Sequence, residues 1–115
     1  MIVHKTLGSG FQEVVYQRAL AIEMRLAGIA FSREFGMPIF YREELIATRR
    51  DDFLAEGFIS IELKAITKLE YLHFAQAINY LEAYNLEIGL LLNFGEPSLN
   101  FKRLTKKKFK KSPGH

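Results

Sequence analysis

Glu62 and Lys64 stand two residues apart in the segment Ile61-Glu62-Leu63-Lys64-Ala65. In an extended strand, residues i and i+2 leave the same face. A carboxylate and an ammonium therefore project together from between Ile61 and Leu63, two residues that belong in a core. Asp52 lies ten residues before Glu62, across a Glu56-Gly57 turn signal. On adjacent antiparallel strands the two carboxylates can converge on one cation. A hard ion such as Mg²⁺ takes one or two carboxylates and fills its octahedron with water and substrate phosphate. The plainer account of this spacing is a structural acid–lysine pair, which contributes little on a solvated sheet face.

Glu13 adds a third acid. Tyr16, Leu20 and Met24 follow it at i+3, i+7 and i+11, so a carboxylate heads an otherwise apolar helical row. A buried acid needs a partner or a metal. In the first helical turn an acid also favours the helix dipole, and this bland account is adequate for Glu13 taken alone. His73, Gln76 and Tyr80 share a second stripe at i, i+3 and i+7 on the helix that follows the Glu62/Lys64 strand, where they can pack across the site. A lone histidine is a poor basis for a metal site, so His73 is expected to be structural. Gly8-Ser9-Gly10 is not a phosphate loop, because it lacks the Lys-Ser/Thr and does not follow a strand.

The elements that must position these residues can be read from hydrophobic spacing. Phe11, Val15, Ala19, Ile22 and Leu26 form a helical stripe from Phe11 to about Ala27, and Gly28 is a natural stop. Residues 29–35 and 38–41 read as strands split by Gly36. Glu43-Glu44 marks a hairpin turn, and residues 45–55 look extended. Residues 58–65 alternate, with Ile59, Ile61, Leu63 and Ala65 on one face and Phe58, Ser60, Glu62 and Lys64 on the other. Residues 70–85 form a helix with Phe74, Ile78 and Leu81 as its buried row. Ile88, Leu90, Leu91 and Leu92 make the apolar run of a strand covered on both faces. Residues 98–104 suit a final edge strand. An order of helix, strands, helix and strands predicts an α/β fold with a central sheet flanked by helices.

The 115 residues are the size of one domain, and 49% hydrophobic with 25% charged is ordinary for a globular protein. There is no cysteine, which excludes a disulfide scaffold, a thiolate zinc site and a cysteine nucleophile. No stretch is apolar for the eighteen or so residues of a membrane span. The opening Met1-Ile2-Val3-His4-Lys5 is too short and too polar for a signal peptide. A cytoplasmic protein without a membrane partner is expected. The net charge of +3 is uneven. Seven of the 16 basic residues (Lys102, Arg103, Lys106, Lys107, Lys108, Lys110 and Lys111) lie between Phe101 and Lys111, leaving 9 against 13 acids, a balance of −4. A basic end suits a polyanionic partner such as nucleic acid, and it suits a solvated, solubilising tail equally well.

Together these segments resemble the family called GxxExxY proteins. Gly10-Phe-Gln-Glu13-Val-Val-Tyr16 fits the Gly-x-x-Glu-x-x-Tyr signature. Arg50-Asp51-Asp52-Phe53-Leu54 looks like the Arg-x-Asp segment, and Ile61 to Ala65 like the acid-x-Lys strand. His73-Phe-Ala-Gln76-Ala-Ile-Asn-Tyr80-Leu81 looks like the second helix, and Leu92-Asn93-Phe94-Gly95 like the strand end after it. The resemblance runs from about His4 to Leu104. The count of ten residues to Glu62, and the alternation from Phe53, select Asp52 rather than Asp51.

That family is placed in the PD-(D/E)XK nuclease superfamily. The resemblance implies a restriction-endonuclease-like core, a mixed sheet in αβββαβ order, over a single domain at residues 1–104; the charge run leaves residues 105–115 as an expected flexible basic tail. It implies that Asp52, Glu62 and Lys64 are the signature triad and that Glu13 is the extra first-helix acid of the exonuclease-like branch. Gln76 and Tyr80 match the Gln-x3-Tyr motif of that branch. The implied activity is Mg²⁺-dependent hydrolysis of nucleic-acid phosphodiesters, with Mn²⁺ able to substitute. Asp52, Glu62 and Glu13 would hold the metal, and the Lys102–Lys111 region would grip the phosphate backbone. DNA is the expected partner over RNA. A homodimer is compatible, since many nucleases pair to cut two strands. The competing expectation is a catalytically inactive nucleic-acid- or protein-binding module on the same fold.

Overall fold

The computed structural model describes residues 2–106. Helices α1 (Ile2–Leu7) and α2 (Glu13–Leu26) lead into strands β1 (Phe31–Tyr41), β2 (Glu44–Ala55) and β3 (Ile59–Lys64). Helix α3 (Tyr71–Ala83) and strands β4 (Ile88–Asn93) and β5 (Asn100–Thr105) complete the order. The five strands form one sheet in the order β1-β2-β3-β4-β5. All neighbours are antiparallel except β3 and β4, which run parallel with α3 as their crossover. This mixed sheet flanked by helices is the restriction-endonuclease-like α/β arrangement expected. No helix among the described residues is long and apolar enough to cross a membrane.

Each face of β3 meets a different environment. Ile61 and Leu63 join Phe53, Leu92 and Phe94 in a core that α2 closes with Tyr16, Leu20, Ala21 and Met24. Phe53 is fully buried, and truncating such a ring to alanine costs about 3–5 kcal/mol. The other face carries Ser60, Glu62 and Lys64. Helix α3 turns Ala77 and Leu81 inward and makes its main contacts with β4 and β5.

Five local expectations are corrected. The α2 stripe Phe11, Val15, Ala19, Ile22 and Leu26 is not the buried row, since Phe11, Ile22 and Leu26 are exposed. The overlapping row Tyr16, Leu20 and Met24 faces the sheet instead. Tyr16 decides this: its ring stacks on Phe94 at 4.6 Å, and its hydroxyl donates to the Gly8 carbonyl at 2.6 Å while accepting from the Phe11 N–H at 3.1 Å. That hydroxyl also organises the loop ahead of α2, so the helix starts at Glu13 rather than Phe11. Strand β1 runs unbroken through Gly36 and Pro38, because β1 is an edge strand and a proline there loses no ladder bond. The hairpin turns at Arg42-Glu43, both left-handed with φ of 50° and 67°, the geometry of a type I′ turn. In α3, Phe74 and Ile78 are only half-buried.

Two features lay outside the sequence reading. Helix α1 docks through buried Val3 and through His4, whose Nε2 donates to the Glu96 carbonyl at 2.8 Å. The hairpin also outgrows the sheet. β2 pairs with β3 only from Phe53 to Ala55, so the outer part of β1 and β2 is a two-stranded ribbon whose tip exposes Phe40, Tyr41, Leu45 and Ile46.

Candidate active site

The site forms where β2 parts from β3. The last regular pair is Phe53 with Ile61, and one further step would set Asp52 opposite Glu62. Instead the Asp52 carboxylate takes the place of the ladder. Its Oδ2 accepts the backbone N–H of Leu63 at 2.8 Å, and its Oδ1 accepts Nε2 of Gln17 at 2.8 Å. Asp52 is thus fastened to the residue between Glu62 and Lys64, and to α2.

Asp51 goes elsewhere. It is buried, and Ser60 donates its hydroxyl to Asp51 Oδ2 at 2.5 Å. Ser60 belongs to the row of Glu62 and Lys64. Alternation from Phe53 assigns Asp52 to that row, yet the residue bonded to a member of the row is Asp51. The break in the ladder lets two adjacent acids serve different partners.

Glu13 is the first residue of α2 and is exposed. With Val14, Gln17 and Asp52 it lines a cleft of about 240 Å³. Two of the expected metal-holding acids therefore share one opening. Glu62 is buried, at 7% exposure, level with Leu91 of β4 and on the face of β3 opposite Ile61 and Leu63. Lys64 is half-buried at the end of β3, where its carbonyl accepts the Phe94 N–H at 2.8 Å. That end is clamped by Asn93. Its Oδ1 accepts the N–H groups of Ile66 at 3.0 Å and Gly95 at 3.1 Å, and its Nδ2 donates to Glu96 at 2.6 Å. Gly95 packs so closely that an added Cβ would stand 2.3 Å from the Ile66 carbonyl oxygen.

Gln76 is exposed on α3, and Tyr80 is half-buried with its ring stacked 6.5 Å from that of Tyr84. His73 is a capping residue, accepting the Glu70 N–H on Nδ1 at 2.9 Å within a capping box. Lys102 and Arg103 are exposed on β5, and Lys106 bonds the Asn85 side chain. Lys107, Lys108, Lys110 and Lys111, the bulk of the expected tail, lie outside the described residues.

Sequence reasoning missed Gln17, Arg33, Ser60 and Asn93. Gln17 had a signal, since it stands at i+4 from Glu13 and so on the same helix face. The donors here are carboxylate oxygens, the type a hard cation prefers. Among the described residues, no three His, Asp or Glu side chains stand together as a ready-made metal cage. Mg²⁺ does not require one, because it is held by one or two carboxylates and keeps several waters. Glu13 and Asp52 at one cleft fit such an ion in donor type.

A family model described as the PD-(D/E)XK nuclease superfamily matches residues 1–104. The chain belongs to that superfamily. Members of the PD-(D/E)XK superfamily are usually nucleases that use divalent metals and act on nucleic acid. No curated protein matches this PD-(D/E)XK chain. Among solved structures it is similar to the crystal structure of SSO0001, with a TM-score of 0.61 and 18% identity over 82% of this chain and 50% of that one. The chain thus spans about half the length of SSO0001, and at that identity the likeness supports the fold alone.

Proposed function

We propose that this PD-(D/E)XK protein is a Mg²⁺-dependent nuclease of the GxxExxY type, acting on DNA in the cytoplasm. The observation that carries the reading is the bond from the Leu63 N–H to Asp52. It ties the acid of β2 to the strand that carries Glu62 and Lys64, beside a cleft that Glu13 shares.

Asp52 and Glu62 would hold the ion, with Glu13 as a third acid directly or through water. When bound, Mg²⁺ supplies charge neutralisation at the scissile phosphate and a water of lowered pKa. Lys64 stands next along the row from Glu62. Its ammonium, a compact point charge, orients the attacking water and offsets charge on the oxygens of the pentacoordinate phosphorus. Water oxygen bonds to phosphorus and gives up a proton to solvent, the bond from phosphorus to the leaving oxygen breaks, and that oxygen takes up a proton from solvent. Gln76 and Tyr80 on α3 steady Lys64 or a flanking phosphate. Lys102 and Arg103 on β5 add backbone affinity without base selection.

The test is cleavage of plasmid and linear DNA with Mg²⁺ and with EDTA. Glu62→Gln and Lys64→Ala are expected to lower the rate by about 10²–10⁴-fold with unchanged far-UV circular dichroism. Cleavage that survives both substitutions would locate the chemistry elsewhere. The deep burial of Glu62 favours a second reading, a binding module without catalysis. DNA retained without cleavage at any Mg²⁺ or Mn²⁺ concentration would establish it.

A further inference from the structure

We propose that Gln17 and Arg33 are positioning residues that hold Asp52 for a divalent cation, an inference that rests on the metal-site reading above. Gln17 is 6% exposed, and a buried amide must place all its polar atoms. Its Nε2 donates to Asp52 Oδ1 at 2.8 Å, and its Oε1 accepts from Arg33 Nη2 at 3.1 Å. A guanidinium has donors only. Arg33 therefore fixes which way the amide points: oxygen toward β1, NH₂ toward Asp52. If the amide turned over, its oxygen would face the carboxylate and repel it.

The arrangement suits a metal ligand for two reasons. First, both Asp52 oxygens are fastened, Oδ1 to α2 and Oδ2 to the Leu63 N–H of β3. Each carboxylate oxygen carries two lone pairs, so one on each remains for a cation. Second, the group touching Asp52 is neutral. A lysine or arginine at position 17 would pair with Asp52 and compete with the ion. Gln17 gives the same directional hold and leaves the charge intact, while the Arg33 cation stays one side chain further back. Gln17 also lines the cleft that Glu13 and Asp52 share, so it orients the acid from inside the opening.

The test is calorimetric titration of the full chain with MnCl₂. Wild-type protein is expected to bind, and Glu62→Gln to abolish the heat. Gln17→Leu keeps the volume and removes the donor; it is expected to weaken Mn²⁺ binding by about 10–100-fold, the usual effect of losing a group that orients a metal ligand. Arg33→Met is expected to act in the same direction, and Arg33→Lys to recover part of the loss. Arg33 is exposed, so its variants carry the test even where Gln17→Leu does not fold. Mn²⁺ affinity unchanged in both Gln17→Leu and Arg33→Met overturns this inference and leaves the metal site standing. Absence of Mn²⁺ heat from the wild-type chain overturns the metal site, and this inference with it.

Discussion

Asp52 accepts the backbone N–H of Leu63 at 2.8 Å, and this contact replaces the next rung of the β2–β3 ladder after Phe53 and Ile61. A side chain thus does the work of a backbone carbonyl just where the strands part. The bond keeps the Leu63 donor satisfied, holds the acid against β3 and leaves the cleft open on the α2 side.

The two neighbouring aspartates are expected to separate cleanly. Asp52→Ala should abolish Mn²⁺ binding and cleavage. It also leaves the buried Leu63 N–H and Gln17 amide without their acceptor, at a cost of about 1–3 kcal/mol. Asp51→Ala removes the acceptor of a buried hydroxyl, and should cost about 1–3 kcal/mol while the folded fraction still binds Mn²⁺. Urea unfolding and calorimetry on both variants check this. Loss of metal binding in Asp51→Ala alone would reverse the assignment.

Tyr16→Phe is expected to keep the stack on Phe94 and lose both hydroxyl bonds. The Gly8 carbonyl and Phe11 N–H are then left without that partner, at a cost of about 1–3 kcal/mol. The loop leading to Glu13 loosens, so cleavage should fall by more than the lost stability explains at temperatures where the variant is fully folded. A urea midpoint with a rate measured well below it separates the two effects.

The clamp behind Lys64 yields a third expectation. At Gly95 an added Cβ meets backbone, 2.3 Å from the Ile66 oxygen and 2.4 Å from its nitrogen. Backbone cannot rotate away, so Gly95→Ala should cost about 3 kcal/mol, at the upper end of overpacking effects. Asn93→Ala leaves the N–H groups of Ile66 and Gly95 without their acceptor and should be comparably harmful. Thermal melts of the two variants check this; a melt within two degrees of wild type would show that the Ala65-Ile66 turn gives way easily.

These residues mark what the sequence could convey. The β3 alternation and the β4 apolar run were legible because burial imposes period two or none. The α2 helix was legible, but its inward row was not. Two stripes overlap there, and the choice rests on Tyr16 meeting Phe94, 78 residues away along the chain. The unbroken β1 strand was hidden because Gly36 reads as a break between two strands, the second opening at Pro38, unless the strand is known to lie at an edge. Asp52, Glu62 and Lys64 were singled out by spacing and Glu13 by its place on a helical row; of the four, Glu13 and Asp52 line one cleft, while Glu62 and Lys64 share a row on β3. The different fates of Asp51 and Asp52 depend on a ladder that stops at Phe53, a property of strand pairing rather than of residue type. Gln17 was within reach as i+4 from Glu13, but its orientation depends on Arg33 across a non-local contact.

The final expectation concerns grip on the substrate. Lys102 pairs with Leu91, which pairs with Glu62. Lys102 therefore sits level with Glu62, two strands away, at about 10 Å by ordinary strand spacing. That separation is close to the span between phosphates one or two nucleotides apart along a strand. Arg103 is the exposed neighbour. If both neutralise phosphates, Lys102→Ala with Arg103→Ala should weaken DNA binding alike for all sequences. Each lost contact should also flatten the slope of log affinity against log salt by about 0.9. Fluorescence anisotropy of a labelled duplex, with Glu62→Gln protein to prevent cutting, measures that slope. A slope unchanged by the double substitution would remove β5 from the binding surface.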